Sequence, residues 1–294
     1  IYVIESPILS NSQFEKFTVF FKDSLKVLDC TFDVQTNLKK RLDQLCSEAE
    51  IAVREGCKHL ILSDKKISEK KTAIPMILAF GAINSKLVNL GIRGFASINV
   101  QTGEVLDTHS FAVLLGIGAT IINPYLVFDS IYQRYEKKLF GKFSYEECIQ
   151  RYIKSVDNGL LKIMSKMGIS ILSSYRGGCN FEAVGLSRAL VAEYFPGMIS
   201  RISGIGIKGV EKKIKELHKK AFQKNVSILP IGGIYKYRKN GETHQYQGNL
   251  IHMLQSAVGS NSYNTNKKYV RGIYNLSIIN LRDLLDFKKL GKSI

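Results

Sequence analysis

The chain has no tryptophan and only five prolines and five cysteines in 294 residues. Neither a C-x-x-C nor a C-x-x-H spacing occurs, which removes the usual zinc and iron–sulfur patterns and favours a reduced, intracellular compartment. No window of eighteen consecutive residues is apolar, so no transmembrane helix is predicted. The first residues lack the pattern of a signal peptide. The absence of an initiator methionine suggests a chain cut from a longer one.

Acidic residues are scarce: 25 Asp and Glu stand against 42 Lys and Arg, a formal net charge of +17. Such a charge by itself suggests an anionic partner. The lysines, however, are spread along the whole chain, and basic residues do not alternate with aromatic ones as in single-strand nucleic-acid grooves. The cluster at residues 208–220 lies opposite an apolar helix stripe. We therefore predict a solvated basic surface, with neither nucleic acid nor membrane as a partner.

Short apolar runs alternate with helical patterns up to about residue 221. The runs predict strands at residues 1–5, 26–32, 59–63, 94–100, 119–123 and 169–173. Several are apolar throughout, which is typical of parallel strands covered on both faces. The alternation predicts an α/β fold, a mostly parallel sheet with flanking helices. An open doubly wound sheet and part of a β/α barrel both fit this pattern.

Two helices have clear boundary signals. Residues 37–55 carry an apolar stripe at three- and four-residue steps, with Thr36 as the expected cap and Gly56 as the stop. Ser144 and Glu147 form a capping box that opens a helix running to Met167. Both helices are expected to cover the sheet.

The pattern changes after residue 221. A strand-like run at residues 228–234 precedes Asn240-Gly241, a strong hairpin turn signal. Polar helices are predicted at about 250–258 and 265–274, and a short one near 281–287. We therefore divide the chain into a main domain, residues 1–225, and a smaller C-terminal connecting segment, residues 226–294.

The strongest candidate for a binding site follows the predicted strand at 169–173. The residues Tyr175-Arg176-Gly177-Gly178 would lie at a strand carboxyl end, where α/β sheets place ligands. Arg176 offers a two-pronged donor to carboxylate or phosphate, and the glycines let the backbone approach closely. A helix is expected to begin next, and its N-terminus would favour an anion.

Other interpretations of this region are simpler. Arg176 could instead bridge loop carbonyls or pair with Glu182. Arg201 is a further positively charged candidate, while Cys179 has no histidine in a fixed relation to it that could act as a base. Asp64 and Asn123 also fall at predicted strand carboxyl ends. None of these residues defines a catalytic site from sequence alone.

The run Gly204-Ile205-Gly206-Ile207-Lys208-Gly209 is a literal G-x-G-x-x-G that opens a helix. In dinucleotide-binding folds an acidic residue about twenty positions on holds the ribose. Here that position is Leu229-Pro230. We therefore attribute these glycines to close packing between a strand and a helix.

Several segments, taken together and in order, resemble the central region of the glutamate synthase large subunit. They cover nearly the whole chain and lie at residues 5–9, 62–64, 74–75, 116–126, 160–185, 201–207, 229–235, 240–244 and 281–285. The resemblance implies an incomplete, degenerate β/α barrel, followed by a segment leading into the FMN-binding synthase domain. It implies a scaffold between the glutaminase and FMN-barrel domains of the same polypeptide that helps to wall an ammonia channel.

The resemblance also implies what the whole enzyme would do. It would convert glutamine, 2-oxoglutarate and reductant into two glutamates, with FMN and a [3Fe-4S] cluster as cofactors and ferredoxin or a reductase subunit as electron donor. The location would be the cytoplasm or a plastid-type organelle. No catalytic, cofactor-binding or metal-binding residue of the family falls on this chain. We therefore expect no cofactor bound by the fragment, and no activity from it alone.

Two alternatives remain. The chain could be a free-standing flavin- or phosphate-binding α/β module with Arg176 as its anion site, which predicts flavin absorbance or a melting shift with FMN. It could also be a basic nucleic-acid-binding domain, which predicts strongly salt-dependent binding.

Overall fold

The computed structural model describes residues 2–223, 231–233 and 236–286, and the chain divides into two compact units, Ile1–Gln223 and Lys224–Ile294. The strands of the first unit are β1 Leu25–Asp29, β2 Thr31–Asp33, β3 His59–Ser63, β4 Lys71–Ala73, β5 Ser97–Gln101, β6 Ile122–Asn123, β7 Glu182–Leu186 and β8 Ile199–Ile205. Its helices are α1 Asn11–Phe20, α2 Leu38–Arg54, α3 Met76–Asn89, α4 Thr108–Gly116, α5 Tyr125–Glu136, α6 Tyr145–Lys166, α7 Leu172–Tyr175, α8 Arg188–Tyr194 and α9 Ile207–Ala221.

A parallel sheet in the order β1-β3-β5-β6 forms the centre of the first unit. Beyond β6, Ile8 forms a parallel bridge with Ile122, and the Leu9 N–H donates to the Ile122 carbonyl at 3.0 Å. Smaller sheets pair β2 with β4 antiparallel and β7 with β8 parallel. The predicted α/β class with a mostly parallel sheet is confirmed. Among the described residues the sheet does not close into a barrel, as expected for an incomplete one.

Both faces of the central sheet are covered, as its apolar strands predicted. In β3, Leu60 and Leu62 lie in the main core, while Ile61 between them packs on the opposite side with Phe14 and Phe17 of α1. All three strand residues are at most 1% exposed. A strand buried on two faces has no polar side to show, which explains the continuous apolar run.

Two predicted strands are wrong. Residues 2–5 form no strand, and the chain first meets the sheet at Ile8. Residues 169–173 are also not a strand, because Leu172–Tyr175 turns into the short helix α7. The apolar side chains Ile169 and Leu172 instead pack from this segment against the core. A short apolar run shows that a segment is buried, but its periodicity does not show how.

The helix expected directly after the Arg176 loop is also absent, since β7 occupies Glu182–Leu186. The predicted helix at 37–55 is confirmed as α2, although Asn37 rather than Thr36 caps it by accepting from the Lys39 and Lys40 amides. The Thr36 hydroxyl donates to the Asp33 carbonyl instead. The capping box of α6 is present as predicted, with Ser144 and Glu147 each accepting from the other's amide.

The second unit contains α10 Gly248–Gly259 and α11 Tyr263–Tyr274, which pack together, and a 3₁₀ turn at Leu281–Leu284. These match the helices predicted there. Asn240 has a positive φ of 63° and the Glu242 amide donates to the Gly232 carbonyl, so the expected turn forms. No strand flanks it within residues 231–233 and 236–247. The rest of the strand-like run, residues 228–230 and 234, lies outside the described residues.

Candidate functional site

The carboxyl edge of the central sheet, where ligands would be expected, is bridged by side chains of the chain itself. The Ser63 hydroxyl donates to Gln101 Oε1 at 2.8 Å, and Gln101 Nε2 donates to Asn123 Oδ1 at 3.2 Å. Asn123 Nδ2 then donates to the Leu9 carbonyl at 3.0 Å. The polar groups at the ends of three strands therefore satisfy one another.

Two acidic residues, Asp64 and Glu104, hold the loops beyond this edge, and only Asp64 is buried as a whole residue. Asp64 is fully buried and accepts from the Thr102 hydroxyl and from the Gly103 amide at 3.1 Å, and burial raises its pKa. Glu104 accepts from the Met76 amide, at the start of α3, at 2.8 Å. Burial, opposed by that hydrogen bond and aided by the charge of Asp64, raises the pKa of Glu104 to about 7. These contacts fix the loops after β3 and β5 to α3.

An open cleft lies at the opposite, amino edge of the sheet. It has a volume of about 770 Å³ and is lined by the residues that begin β3 and β5, together with the loop before β6 and the segment around Arg176. Its charged lining residues are Lys58, Arg93 and Arg176, with His59 beside them, and no Asp or Glu lines it in the described ranges. The cleft is therefore strongly cationic.

Arg176 does not lie at a strand carboxyl end, and that prediction is wrong. Because the segment before it is the helix α7 and not a strand, the sheet does not position it. The side chain instead lines the cleft at the amino edge. Its Nε atom is buried and has no hydrogen-bond partner among the described residues. Burial lowers its pKa.

Arg93 is the neighbour of Arg176 in this cleft, and sequence reasoning missed it. Its Nε donates to Asn84 Oδ1 at 2.7 Å and its Nη1 donates to the Ala96 carbonyl at 2.7 Å. Burial and then the charge of Arg176 lower its pKa, so the two guanidinium groups are close enough to repel. Nothing in the local sequence marks Arg93, because only the tertiary fold brings it to Arg176.

The rest of the predicted loop has structural contacts. Tyr175 is 1% exposed and its ring meets Phe181 edge-on at 6.5 Å. Gly177 has a φ of +68° and donates to the Gly116 carbonyl at 2.7 Å, which ties the loop to the end of α4. A Cβ on Gly178 would lie 2.9 Å from Asn180 Oδ1. The glycines thus permit a tight loop that presents Arg176 to the cleft.

Arg201 is not part of this site. It lies on β8, is largely exposed, and pairs with Glu182 of β7 at 3.5 Å. Glu182, one suggested partner of Arg176, is therefore engaged by Arg201. Gly204 of the G-x-G-x-x-G run allows close packing between two strands and not between a strand and a helix, since a Cβ on Gly204 of β8 would lie 2.0 Å from the Gly185 carbonyl oxygen of β7.

Two further findings limit the kinds of site. Across the ranges that the structure describes, no three His, Cys, Asp or Glu residues come together as a set that could hold a metal ion. In the same ranges, every helix is either too short or too polar to cross a membrane.

The fold and its cross-bridged carboxyl edge define an α/β domain built as an incomplete barrel. The chain belongs to the glutamate synthase family, because the model of the glutamate synthase central domain matches residues 1–187. It is 48% identical over 288 residues to the glutamate synthase [NADPH] large chain of Azospirillum brasilense, covering 97% of this chain and 19% of that protein.

Other relatives show the same coverage. The NADPH large chain of Bacillus subtilis is 38% identical over 283 residues, covering 96% of this chain and 19% of that protein. The chloroplastic ferredoxin-dependent glutamate synthase of Spinacia oleracea is 34% identical over 302 residues, again covering 97% and 19%. The chain thus spans about a fifth of the length of the relatives that it matches.

Proposed function

We propose that this chain is the central scaffold of a glutamate synthase large subunit, with residues 1–225 as its central domain and residues 226–294 leading into the FMN-binding domain. The whole enzyme would convert glutamine, 2-oxoglutarate and reductant into two glutamates. This chain would hold the glutaminase and FMN-barrel domains in fixed positions and help to wall the ammonia channel between them. FMN and the [3Fe-4S] cluster would lie outside it, and ferredoxin or a reductase subunit would supply electrons there.

The observation that supports this proposal is that the polar side chains at the carboxyl edge of the sheet hydrogen-bond to one another. The side chains that would reach a substrate in an ordinary α/β enzyme are Ser63, Gln101 and Asn123, and each is bonded to its neighbour. Asp64 likewise accepts from the Gly103 loop amide, and Glu104 accepts from the Met76 amide at the start of α3. Polar side chains that hydrogen-bond to each other keep a framework rigid. Two coupled active sites need such a framework, because their separation and orientation must stay fixed.

A coupling measurement tests the proposal. In the full-length enzyme, Arg176→Ala is expected to raise the glutamine consumed per glutamate formed from about one half towards one, the value at which all ammonia is lost, because a disturbed wall lets ammonia escape to water. The measurement is the stoichiometry of glutamine loss against glutamate formation. Lys166→Ala, at the exposed end of α6, is the matched control and should leave the ratio unchanged. An unaltered ratio in the Arg176 variant would contradict the role of this loop in coupling.

The alternative of a free-standing flavin- or phosphate-binding module loses one of its supports. It placed the anion between Arg176 and a following helix N-terminus, and residues Glu182–Leu186 form a strand. The basic cleft remains, and its ligand is a separate question.

A further inference from the structure

The cleft at the amino edge of the sheet concentrates positive charge that no described residue neutralises. Lys58, Arg93 and Arg176 all line it, and within the described residues no carboxylate does. The described ion pairs engage none of these three side chains. Two like charges in a partly buried site repel each other, and an anion between them removes that cost.

The hydrogen-bonding groups of the cleft point to the same conclusion. Arg93 already donates to Asn84 and to the Ala96 carbonyl, which holds its guanidinium in place. Arg176 Nε and His59 Nδ1 are buried and have no partner in the described part of the chain. A buried donor without a partner is costly, and structures usually supply one. Of the four buried side-chain atoms without a partner in the described residues, these two belong to residues that line the cleft, and Asn99 Oδ1 and Tyr175 OH do not.

The volume of this open cleft is large enough for a small molecule. Its volume of about 770 Å³ far exceeds that of a single carboxylate side chain, and it lies within the range of small-molecule sites. Gly118 and Gly177 line it, so backbone can approach a ligand there. A guanidinium binds carboxylate and phosphate through two parallel hydrogen bonds.

We propose that this cleft is a binding site for a small oxyanion, a carboxylate or phosphate group carried by a free small molecule, held between Arg93 and Arg176 with Lys58 at its rim. The site lies at the edge of the sheet opposite to the bridged polar groups. This binding proposal and the scaffold proposal can fail separately. Equilibrium binding tests the first, and reaction stoichiometry tests the second.

The test is isothermal titration of the full-length protein with inorganic phosphate, and separately with malonate, at constant ionic strength. We expect a dissociation constant on the order of 1 mM for the better of the two. A preference for phosphate or for malonate identifies which oxyanion the site takes. The constant ionic strength is needed because salt screens exposed charges and would imitate competition.

The variants separate a built site from general attraction to a basic protein. Arg176→Gln is expected to weaken binding about ten-fold, and Arg176→Lys less, because lysine keeps the charge without the fork. Lys58→Gln, at an exposed position, should weaken binding about two- to three-fold and serves if the Arg176 variants fail to fold. Arg93 is not substituted, because its hydrogen bonds to Asn84 and to the Ala96 carbonyl link α3 to the segment before β5, and losing them would destabilise the fold.

Arg201→Gln is the matched control. It removes the same charge from β8, outside the cleft, and should leave the affinity unchanged. The proposal is overturned if the full-length protein binds neither probe at tens of millimolar, as it would if an acidic side chain from elsewhere in the polypeptide filled the cleft. Equal losses in the Arg176 and Arg201 variants would also overturn it, since they would show attraction to net charge alone.

Discussion

Replacing Gly81 with alanine is expected to lower the free energy of unfolding of the first unit by about 2 to 3 kcal/mol. Gly81 lies in the middle of α3, where a Cβ would come 2.8 Å from the Tyr194 carbonyl oxygen and 2.4 Å from Phe195 Cε1. Ser85, one helical turn on, donates to that same carbonyl at 2.9 Å. The small residues Gly81 and Ser85 on one face of α3 thus let it contact the end of α8. A methyl group at position 81 would force the two helices apart.

The comparison that isolates this contact is Gly94→Ala. A Cβ on Gly94 meets nothing within 4 Å, and its φ lies outside the left-handed region. It should change stability by less than about 0.5 kcal/mol. Urea unfolding followed by circular dichroism measures both. In a solvent-exposed helix, alanine is more stable than glycine by about 1 kcal/mol. A Gly81→Ala variant that is more stable than wild type would therefore contradict the prediction, because it would show that α8 moves aside at little cost.

Glu104→Gln is expected to stabilise the protein at pH 8 and to lose that advantage at pH 5. The pKa of Glu104 is about 7 in the folded protein against an ordinary value of 4.5, so the folded state holds the proton more tightly than the unfolded state. Stability therefore falls as the pH rises from about 4.5 to 7. Above this range the ionised carboxylate is destabilising, but Glu104 is an exposed residue, so water screens the cost to about 1 kcal/mol.

Glutamine removes that charge and keeps an oxygen to accept from the Met76 amide at the start of α3. The gain at pH 8 should be about 0.5 to 1 kcal/mol, since water already screens the exposed side chain and the new amide donors need partners too. Melting temperatures of wild type and variant at pH 5 and pH 8 give the measurement. Glu136→Gln, at the exposed last residue of α5, makes the same chemical change and should show no such pH dependence. A stability difference that is equal at both pH values would rule out ionisation of Glu104 as its cause.

Residues 59–63 and 169–173 show what sequence could and could not predict. Both are short apolar runs, and both were predicted as strands. The first pairs on both sides, with β1 and β5, and is a strand. The second pairs with no strand in the described part of the chain and buries Ile169 and Leu172 from a turn and a short helix. Apolar runs reveal burial, whereas strand pairing depends on neighbours that are distant in sequence.

The strand β7 was not predicted, and it shows the converse case of a strand whose apolar residues are exposed. Val184 is 68% exposed and Ile202, its partner on β8, is 63% exposed, so apolar residues face outward in the described structure. For the candidate site, the chemistry of Arg176 followed by two glycines was readable from sequence. Its place at the amino edge was not, because that depended on the misassigned strand. Its companion Arg93 shares no local pattern with it.

The pairing of residues 7–9 with β6 cannot form until β6 has been synthesised, which sets an order for folding during synthesis. Asn123 and the Leu9 carbonyl that it binds are 114 residues apart. At about 5 to 20 residues per second a ribosome needs roughly 6 to 23 seconds to make the chain between them. During that interval the apolar residues Ile8 and Leu9 have no strand to join, so a growing chain must keep them from other partners until Ile122 emerges. The earliest part of the sheet in the chain is therefore the last to be sealed.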